Sequence, residues 1–443
     1  MKKHLFYFFM MLISLTGCNA AKANPEAEEV EEGLPVINLS EDVEEVKQLN
    51  LSDAADHIEI VKLETSDRAF IKFIDKVEVT ENDIFVQNSS VNVYRFSREG
   101  KYLNTIGKQG QGPGEYTWVS KHYVDAKAKE VYFLTSSNGI MVYDYEGHFL
   151  RKATALLQDQ LFGSIYNQLA IYKNQFLLSR NLGMMGYGIS KDSLWSIAVA
   201  DEHFNKLKLF KNPAYVGIEE ELVADEHRPP YIEDGTRNYW MEYNTSIDYT
   251  GDEITFKLPD TDTIYAYRPE GQKFVPEYAI HTNEVKGDYG LTHVWIKERR
   301  AFDYFSIYSY YATNNYVYLV GSKGEKVYTY AYDKRQRKVR RTERNSPIVS
   351  TNTPFIDMFG KPLLQIRRYF LLHNDITGGD YKVDYRSQGK YWVQALEIGD
   401  SSYDEFVEDL KASPDAPQKQ QLLDVIAKTG EEDNPILLIA VLK

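Results

Sequence analysis

The sequence predicts an all-β fold, a six-bladed β-propeller with a C-terminal helical insertion in its last blade. Three observations favour this fold over a flat β-sandwich. Apolar and polar residues alternate from residue 57 onward, in short runs separated by polar turns. One hairpin phrase recurs five times: an apolar strand with an aromatic end, a turn, and a second strand. Aromatic residues, which favour strands, make up 14% of the chain.

The recurring hairpins set the length of the repeating units. Their turns fall near residues 100, 147, 205, 271 and 335, at intervals of 47 to 66 residues. Units of this length with roughly four strands are typical of propeller blades rather than of helical or horseshoe repeats. The clearest strands are Ile74–Val79, Ile84–Gln87, Val91–Phe96 and Tyr102–Ile106 in the first unit, and Val119–Asp125, Val131–Thr135, Ile140–Tyr145 and Phe149–Lys152 in the second.

A sixth blade is predicted to draw strands from both ends of the propeller, which spans residues 51–443. One strand, Ile58–Leu63, precedes the first unit. Three more follow the fifth, at Tyr381–Tyr385, Tyr391–Leu396 and Pro435–Leu442. We expect Ile58–Leu63 to pair beside the last of these, because ring closure leaves no free sheet edge.

Residues 401–430 predict two helices within that last blade. The first follows Ser402, carries acids in its first turn and an apolar stripe, and ends at Pro414. The second spans Gln418–Lys428 and stops at Gly430. We expect the pair to form a cap on the rim of the propeller.

The amino terminus has the pattern of a secretory signal. Lys2 and Lys3 precede an apolar run of eleven residues, which is too short to span a bilayer, and small residues lead to Cys18. Cys18 is the one cysteine of the chain. Residues 1–17 are therefore predicted to be a signal peptide. Residues 18–50 are predicted to form a flexible tether that begins at Cys18, because their clustered acids repel one another.

Composition excludes some classes of function. The formal net charge is −14, whereas a nucleic-acid-binding surface needs a basic patch, so no nucleic-acid partner is expected. An exported chain without disulfides must rely on a large apolar core, which the 426 residues left after removal of residues 1–17 (443 − 17) can supply. We expect a monomer.

The sequence from Leu15 to Cys18 resembles the lipobox of bacterial lipoproteins, in which the cysteine takes a diacylglyceryl group before cleavage in front of it. The whole chain resembles a family of six-bladed β-propeller lipoproteins of Gram-negative gut bacteria. The best-matching phrases are Gly107–Tyr116, Asn374–Gly379 and Glu432–Leu437, although the family often has a second acid where this chain has Thr377. The resemblance implies export and a lipid anchor in the outer membrane, facing the periplasm or the cell surface. It implies no particular activity.

Three residues are candidates for facing the central channel: Glu115, His122 and His293. The glycine-rich loop before Glu115 lacks a phosphate-binding pattern and predicts a tight crossover between blades; alternatively, Glu115 points into the channel. His122 and His293 lie near predicted inner strands. With Asp125, Asp248 and Asp303 they could ligate Ca²⁺ or Zn²⁺, as a lactonase-type hydrolase would require.

Two further patterns each have two interpretations. A basic run near the fifth hairpin is either a solvated outer edge or a contact for anionic lipid head groups. Its members are Lys334, Arg335, Arg337, Lys338, Arg340, Arg341 and Arg344. Nine tyrosines of the same unit either pack between blades or stack on sugar rings. They are Tyr304, Tyr308, Tyr310, Tyr311, Tyr316, Tyr318, Tyr328, Tyr330 and Tyr332.

The function predicted from these features is that of a lipid-anchored cell-envelope binding or scaffold module. Its partner would be a glycan, a peptide or an envelope protein, bound at one mouth of the channel, with no cofactor. One alternative is a propeller hydrolase or lyase with a metal in the central channel. Another is an accessory subunit of an outer-membrane nutrient-uptake complex. The sequence shows no nucleophile motif such as Gly-x-Ser-x-Gly.

Overall fold

Six sheets, each built on four antiparallel strands, form a closed ring in the part of the chain that is described. The structure is a computed structural model. It describes residues 33–135, 139–153, 166–180, 195–217, 219–220, 231–233, 238–240, 245–251, 253–258, 261–282, 305–346, 348–350, 363–366, 369–399 and 401–443. The predicted all-β, six-bladed propeller is confirmed.

The chain enters along the outside of the ring. Its first elements are β1 (Val36–Asn38), β2 (Val43–Glu45), the helical turn α1 (Leu51–Ala54) and β3 (Ala55–Lys62). Blades one to three follow, each running from its inner to its outer strand. Blade one is β4 (Ile74–Val79), β5 (Asp83–Asn88), β6 (Asn92–Ser97) and β7 (Tyr102–Ile106). Blade two is β8 (Val119–Asp125), β9 (Glu130–Thr135), β10 (Ile140–Asp144) and β11 (Phe149–Ala153). Blade three is β12 (Tyr166–Tyr172), β13 (Gln175–Arg180), β14 (Trp195–Ala200) and β15 (Lys206–Lys211).

Blades four and five repeat the pattern after an excursion into β16 (Tyr231–Glu233) and β17 (Asn238–Trp240). Blade four is β18 (Ser246–Thr250), β19 (Glu253–Lys257), β20 (Thr263–Arg268) and β21 (Lys273–His281). Blade five is β22 (Ser306–Ala312), β23 (Tyr316–Lys323), β24 (Lys326–Asp333) and β25 (Lys338–Asn345). The sequence did not predict the small sheet in which β16 and β17 join β26 (Ile348–Ser350) and β27 (Leu363–Ile366).

The sixth blade is assembled from both ends of the propeller, as predicted. After the hairpin β28 (Leu371–His373) and β29 (Asp380–Lys382), the chain forms β30 (Tyr385–Ser387), β31 (Tyr391–Leu396), α2 (Ser401–Ala412), α3 (Lys419–Ala427) and β32 (Ile436–Leu442). Strand β3 completes the blade by pairing with β32, with Ile58 opposite Ala440 and Val61 opposite Leu437. The sheet order is β3-β32-β31-β30, so β30 is the inner strand.

The prediction placed the inner strand of this blade four residues too early, at Tyr381–Tyr385. Tyr381 belongs to the hairpin instead, where it pairs with Leu372. Its side chain is fully buried, and its hydroxyl donates to the Trp392 carbonyl at 2.7 Å. The tyrosine therefore fastens the hairpin to blade six, because a buried phenol needs a hydrogen-bond partner.

Apolar packing fills every gap between neighbouring blades. Six clusters of buried side chains occupy the six gaps, one in each. Between blades six and one, for example, Val61 and Leu437 pack with Val77 of β4. Each fully buried aliphatic side chain stabilises the fold by roughly 1.5–3 kcal/mol relative to exposure. The ring is therefore closed by the same kind of contact throughout.

A glycine is required in the turn of the first outer hairpin for steric reasons. Gly100 has a φ of +85°, and a Cβ there would lie 2.3 Å from the Lys62 carbonyl oxygen of β3. That backbone approach is tight enough for the Glu64 amide to donate to the Gly100 carbonyl at 2.8 Å. The turn therefore packs directly against blade six, and a side chain would push the two apart.

Residues 33–50, which belong to the segment predicted as a flexible tether, are ordered. We name residues 34–50 the N-terminal strap. Strand β1 pairs in parallel with β21 of blade four, and β2 pairs in parallel with β25 of blade five. Ile37 and Leu39 are buried in the gap between these blades, and Leu49 in the next gap. Apolar residues spaced among the acids therefore dock the segment, so charge repulsion does not keep it extended in solvent.

Three residues of the basic run have partners within the protein, one of them in the strap. Arg341 forms an ion pair with Glu45 of β2, and Arg340 pairs with Asp53 of α1 at 2.8 Å. Arg344 donates to the Tyr369 carbonyl at 2.6 Å. These contacts favour the interpretation as an outer edge, because three of the cations already have partners in the protein.

The two predicted helices are confirmed, and they contribute to the core. Leu410 of α2 and Leu422 of α3 are fully buried in the gap between blades five and six. The insertion is therefore part of the packing of that gap as well as a cap. The tyrosines of blade five mostly pack in the same way: Tyr310, Tyr318, Tyr330 and Tyr332 are buried. Tyr304 lies outside the described residues.

Candidate functional site

A cavity of about 290 Å³ lies at the centre of the ring. The inner strands β4, β8, β12, β18 and β30 supply most of its walls. In blades one to five the chain enters at the inner strand, and in blade six β30 precedes β31 and β32. The inner strands therefore run in the same direction around the channel. The end where they start is named the amino-end mouth here, and the end where they finish the carboxyl-end mouth.

One ion pair stands on the wall formed by blade one. Lys76 Nζ lies 2.8 Å from Glu78 Oε1, and both residues are on the channel side of β4. Glu78 Oε2 accepts a 2.6 Å hydrogen bond from the Ser387 hydroxyl of blade six. The Lys76 ammonium also lies over the Tyr123 ring of blade two, 3.2 Å from its centroid. One lysine therefore links three blades at the channel wall.

A second ion pair crosses from blade six to blades four and five. Arg386 Nη1 lies 3.0 Å from Asp248 Oδ2 and donates to the Tyr310 carbonyl at 3.0 Å. The guanidinium lies over the Tyr311 ring at 4.7 Å. Asp248 is 4% exposed and also accepts from the amides of Ala312 and Tyr249. The carboxylate therefore has three donors.

Burial shifts the proton affinities of this cluster. Loss of hydration lowers the pKa of Lys76, against the attraction of Glu78, and the nearby Arg386 charge lowers it further. Burial raises the pKa of Asp248, while the Arg386 guanidinium and backbone amides oppose that rise. Like charges held near each other inside a protein are unfavourable without compensating partners. The pKa values of Lys76 and Asp248 are therefore set by burial and by neighbouring charges, as is common at binding sites.

The carboxyl-end mouth is crossed by side chains. Gln388 Nε2 donates to the Val124 carbonyl at 2.9 Å, which connects blade six to blade two. The Tyr249 hydroxyl accepts from the Ile171 amide at 2.8 Å. Gly389, with a φ of +63°, lies so close to Tyr249 that a Cβ would be 2.3 Å from the Tyr249 Cβ. These contacts obstruct the channel at this end.

Two exposed aromatic side chains precede inner strands on the face of the amino-end mouth, outside the residues that line the cavity. Phe73 directly precedes β4 and is 59% exposed, and Trp118 directly precedes β8 and is 47% exposed. The turn at Ser89 and Ser90 joins the two loops through backbone hydrogen bonds to Phe73 and Val119. Large apolar groups in solvent at a channel entrance are a common feature of binding surfaces.

The structure places Glu115 in its own loop, and the expectation that it faces the channel is not met. Its carboxylate accepts from the Gly112 amide at 2.8 Å and pairs with Lys108 at 2.8 Å. These contacts hold the pKa of Glu115 below its ordinary value. The loop connects β7 of blade one to β8 of blade two, which confirms the predicted crossover. Glu115 therefore shapes that crossover.

His122 faces away from the channel, contrary to expectation. Lys121 and Tyr123 line the cavity, and side chains alternate along a strand, so the residue between them points into the gap between blades one and two. There His122 Nδ1 lies 3.2 Å from Gln87 Oε1. Burial, then the Lys76 charge, lowers the pKa of His122 well below its ordinary value. The imidazole is therefore neutral at neutral pH.

The other residues predicted to face the channel, ligate a metal or carry a lipid lie either in a turn or outside the described residues. Asp125 Oδ1 accepts from the amides of Lys127 and Ala128, which caps the β8–β9 turn. His293, Asp303 and Cys18 lie outside the described residues. Within the described ranges, no group of three or more His, Cys, Asp and Glu residues is arranged to hold a metal ion. Over the same ranges, no helix combines the length and apolarity needed to cross a membrane.

Sequence reasoning missed Lys76, Glu78 and Arg386. The signal was present in β4, which reads Ile-Asp-Lys-Val-Glu-Val, with Lys76 and Glu78 at alternate positions. Two charges on one face of an inner strand must point into the channel. Arg386 was harder to identify because the inner strand of blade six has three residues and was predicted in the wrong place.

Two of the motifs that carry the resemblance prove to be loop-forming elements. Asn434 is fully buried and donates to the carbonyls of Glu64 and Ala69 while accepting from the Ile71 amide. Asn374 accepts from the Thr377 amide at 2.9 Å and bonds the Thr377 hydroxyl. The threonine in place of the usual acid therefore completes a buried turn.

These features define a closed six-bladed propeller with a polar, charge-paired central channel. The chain belongs to the DUF4934 family, described as a domain of unknown function. The family model matches residues 34–441. No curated protein matches the sequence.

Several solved structures resemble the fold. A protein named "Putative exported protein" from Bacteroides fragilis NCTC 9343 aligns at a TM-score of 0.58 and 17% identity, over 92% of this chain and 100% of that one. A member of the DUF4221 family from Bacteroides vulgatus ATCC 8482 aligns at a TM-score of 0.41 and 11% identity, over 66% and 88%. The first likeness supports the propeller fold. The second is too distant to add to it.

Proposed function

We propose that this protein is an exported, lipid-anchored binding module that holds a small ligand in the central channel of its propeller. The observation that carries this proposal is the polarity of the cavity. Two ion pairs and the rings of Tyr123, Tyr249 and Tyr385 line a space that apolar side chains would otherwise fill. Concave sites with a few placed polar groups among aromatic walls are typical of small-molecule binding.

The two mouths give the proposed site a direction. Side chains of Gln388 and Tyr249 cross the carboxyl-end mouth, whereas Phe73 and Trp118 stand exposed at the other. The ligand therefore enters at the amino-end mouth. Exposed aromatic rings there provide faces on which a sugar ring or an apolar group can stack.

A thermal-shift screen of the full mature chain tests this site. The panel contains neutral sugars, acidic sugars, amino acids, short peptides and divalent metals. A ligand that binds in the channel should bind about threefold to tenfold more weakly to Phe73→Ala and Trp118→Ala, given the usual value of an aromatic contact. Phe149→Ala is the matched control, because Phe149 is 41% exposed but lies on the outer strand β11.

Two results would contradict the proposal. If Phe149→Ala weakens ligand binding as much as Phe73→Ala and Trp118→Ala do, the ligand does not bind at the amino-end mouth. A divalent metal that supports turnover of lactones or esters would favour the hydrolase instead, and Asp248, one of its candidate ligands, would then have to leave Arg386.

The proposal of a lipid anchor is supported by the leader sequence and Cys18. The similar protein from Bacteroides fragilis is named a putative exported protein, which gives secondary support to export. Acyl chains contribute about 0.8 kcal/mol per buried CH₂, so a lipid on Cys18 would hold the protein at a membrane without a helix. Mass spectrometry should find the mature chain starting at Cys18 with added acyl mass. A Cys18→Ala protein that still sediments with membranes would contradict the anchor.

A further inference from the structure

We infer that the channel takes a small ligand bearing a carboxylate, with Arg386 as the group that binds it. This inference rests on the proposed binding function and names the chemical class of the ligand. It follows from a comparison of the hydrogen-bonding capacity of the acids and the bases on the cavity wall.

Three of the four acids that line the cavity have little capacity left, and the fourth, Asp75 near the start of β4, accepts from the Ser90 amide. Glu78 has Lys76 on one oxygen and Ser387 on the other. Asp248 accepts from Arg386 and two backbone amides, again on both oxygens, as described above. Asp384 pairs with Lys382 at 2.8 Å and accepts from the Ala395 amide at 3.0 Å. A cationic ligand would have to break one of these contacts to reach an oxygen of Glu78, Asp248 or Asp384.

Arg386, in contrast, has donors to spare. Both of its hydrogen bonds, to Asp248 and to the Tyr310 carbonyl, come from Nη1. Among the described residues, Nε and Nη2 have no acceptor, and neither is a buried atom without a partner. The side chain is 20% exposed, so these donors reach the cavity. A guanidinium edge with two N–H groups matches a carboxylate in bidentate geometry.

The dimensions and charge of the cavity limit the ligand further. A space of about 290 Å³ fits a molecule the size of one sugar or one or two amino acids. Lys76 and Arg386 are near enough for the charge of Arg386 to act on Lys76, so a single negative charge between them relieves their repulsion. A dianion would also have to lie near Glu78 and Asp248. A monoanionic carboxylate is therefore favoured over phosphate or sulfate.

The test compares each acid with its own uncharged partner by isothermal titration at neutral pH. D-galacturonate is compared with D-galactose, and alanyl-alanine with its C-terminal amide, so that a sugar source of the carboxylate is separated from a peptide source. At least one acid should bind about tenfold or more tightly than its partner. A millimolar Kd is taken as the weakest meaningful affinity. If neither acid binds detectably at about 10 mM, the inference is overturned.

Arg386→Lys tests the residue while keeping its charge beside Asp248. Binding of the preferred acid should weaken about tenfold, because lysine cannot offer the two-pronged edge. The matched control is Arg95→Lys. Arg95 also pairs with an aspartate, Asp83, at 2.8 Å, lies over a tyrosine ring and is 18% exposed, but it is on the outer hairpin of blade one.

The outcomes separate the two proposals. If a neutral partner binds as well as its acid, and Phe73→Ala weakens both, the channel function stands and the carboxylate class is wrong. Tighter binding of inorganic phosphate than of either acid would likewise mean that the carboxylate class is wrong.

If Arg386→Lys melts much lower than the native chain, the double variant Arg386→Gln with Asp248→Asn replaces it. This double variant should also lose the preference for the acid. Retention of that preference would overturn the role of Arg386.

Discussion

The outer rim and the central channel hold the same six blades together by different means. At the rim, β3 closes the ring against β32 through a ladder of backbone hydrogen bonds, with apolar side chains on both faces. In the channel, Lys76 and Arg386 connect blades through buried ion pairs. Burying a charge is costly unless partners compensate it, whereas apolar burial is favourable in itself. The contacts at the rim therefore stabilise the fold directly, whereas the buried charges of the channel cost stability unless their partners offset it.

Deletions from the amino terminus should show the largest effect and test the rim. Removal through Gly33 should leave the melting temperature unchanged. Removal through Asn50 takes away the strap with Ile37, Leu39 and Leu49, and should cost about 5 kcal/mol at the usual value for buried aliphatics. Removal through Glu64 also takes β3, which should prevent folding because it opens the ring. Circular dichroism during thermal melting measures all three.

The deletion series has a clear contrary result. Equal melting temperatures for the chains starting after Gly33 and after Asn50 would mean that the strap is a tether after all. Equal values after Asn50 and after Glu64 would mean that β3 does not close the ring.

The contrast between rim and channel also explains what the sequence could predict. Alternation and glycine turns identified β4 and β8 with their exact bounds, and they identified the partner of β3, because each pattern is local. The ion pair between Arg386 and Asp248 joins residues 138 positions apart. Such a contact depends on how blades are arranged in the ring, and no local pattern specifies that.

The strap escaped prediction for a different reason. Strands β1 and β2 have three residues each, and β2 reads Val-Glu-Glu, which has little of the composition of a strand. Parallel pairing to a distant outer edge supplies its structure. Buried Leu39 and Leu49 were the available signal, because isolated leucines within an acidic segment are unusual for a solvated tether.

Arg386→Met should give the next largest effect and test the channel. It leaves Asp248 buried without its counter-charge, which typically costs about 3 kcal/mol or more. Burial already raises the pKa of Asp248, and loss of the arginine should raise it further. A raised acid pKa means that stability falls as pH rises from the unfolded value near 3.8 through the folded value. The cost of Arg386→Met should therefore be larger at pH 7 than at pH 4.

The control for this measurement is Arg386→Met combined with Asp248→Asn. The amide cannot ionise, so the extra pH dependence should vanish and part of the stability should return. Urea denaturation at the two pH values measures both variants. A single variant whose cost is the same at pH 4 and pH 7 would show that Asp248 does not depend on Arg386 for its charge.

His122 gives an intermediate effect with the opposite pH dependence. Its folded pKa lies well below the unfolded value of 6.5, so only the unfolded chain gains the proton as pH falls below 6.5. Stability should therefore decline toward acid by up to about 1.4 kcal/mol per pH unit from this group. His122→Leu removes that contribution. The difference in unfolding free energy between the native chain and the variant should change between pH 7 and pH 5, and a constant difference would mean that His122 is protonated in the fold.

The smallest effect should come from the charges of the strap. Glu45 is 73% exposed where it pairs with Arg341, and exposed ion pairs contribute between zero and about 1 kcal/mol. Leu39, six residues earlier, is 4% exposed in the gap between blades four and five. Leu39→Ala should cost about 2–3 kcal/mol by cavity formation, whereas Glu45→Gln should cost less than about 1 kcal/mol and should matter less as salt is added. Denaturation at low and high salt compares the two. If Glu45→Gln costs as much as Leu39→Ala, the acidic composition of the strap docks it to the basic edge, and the rim would then depend on charge as the channel does.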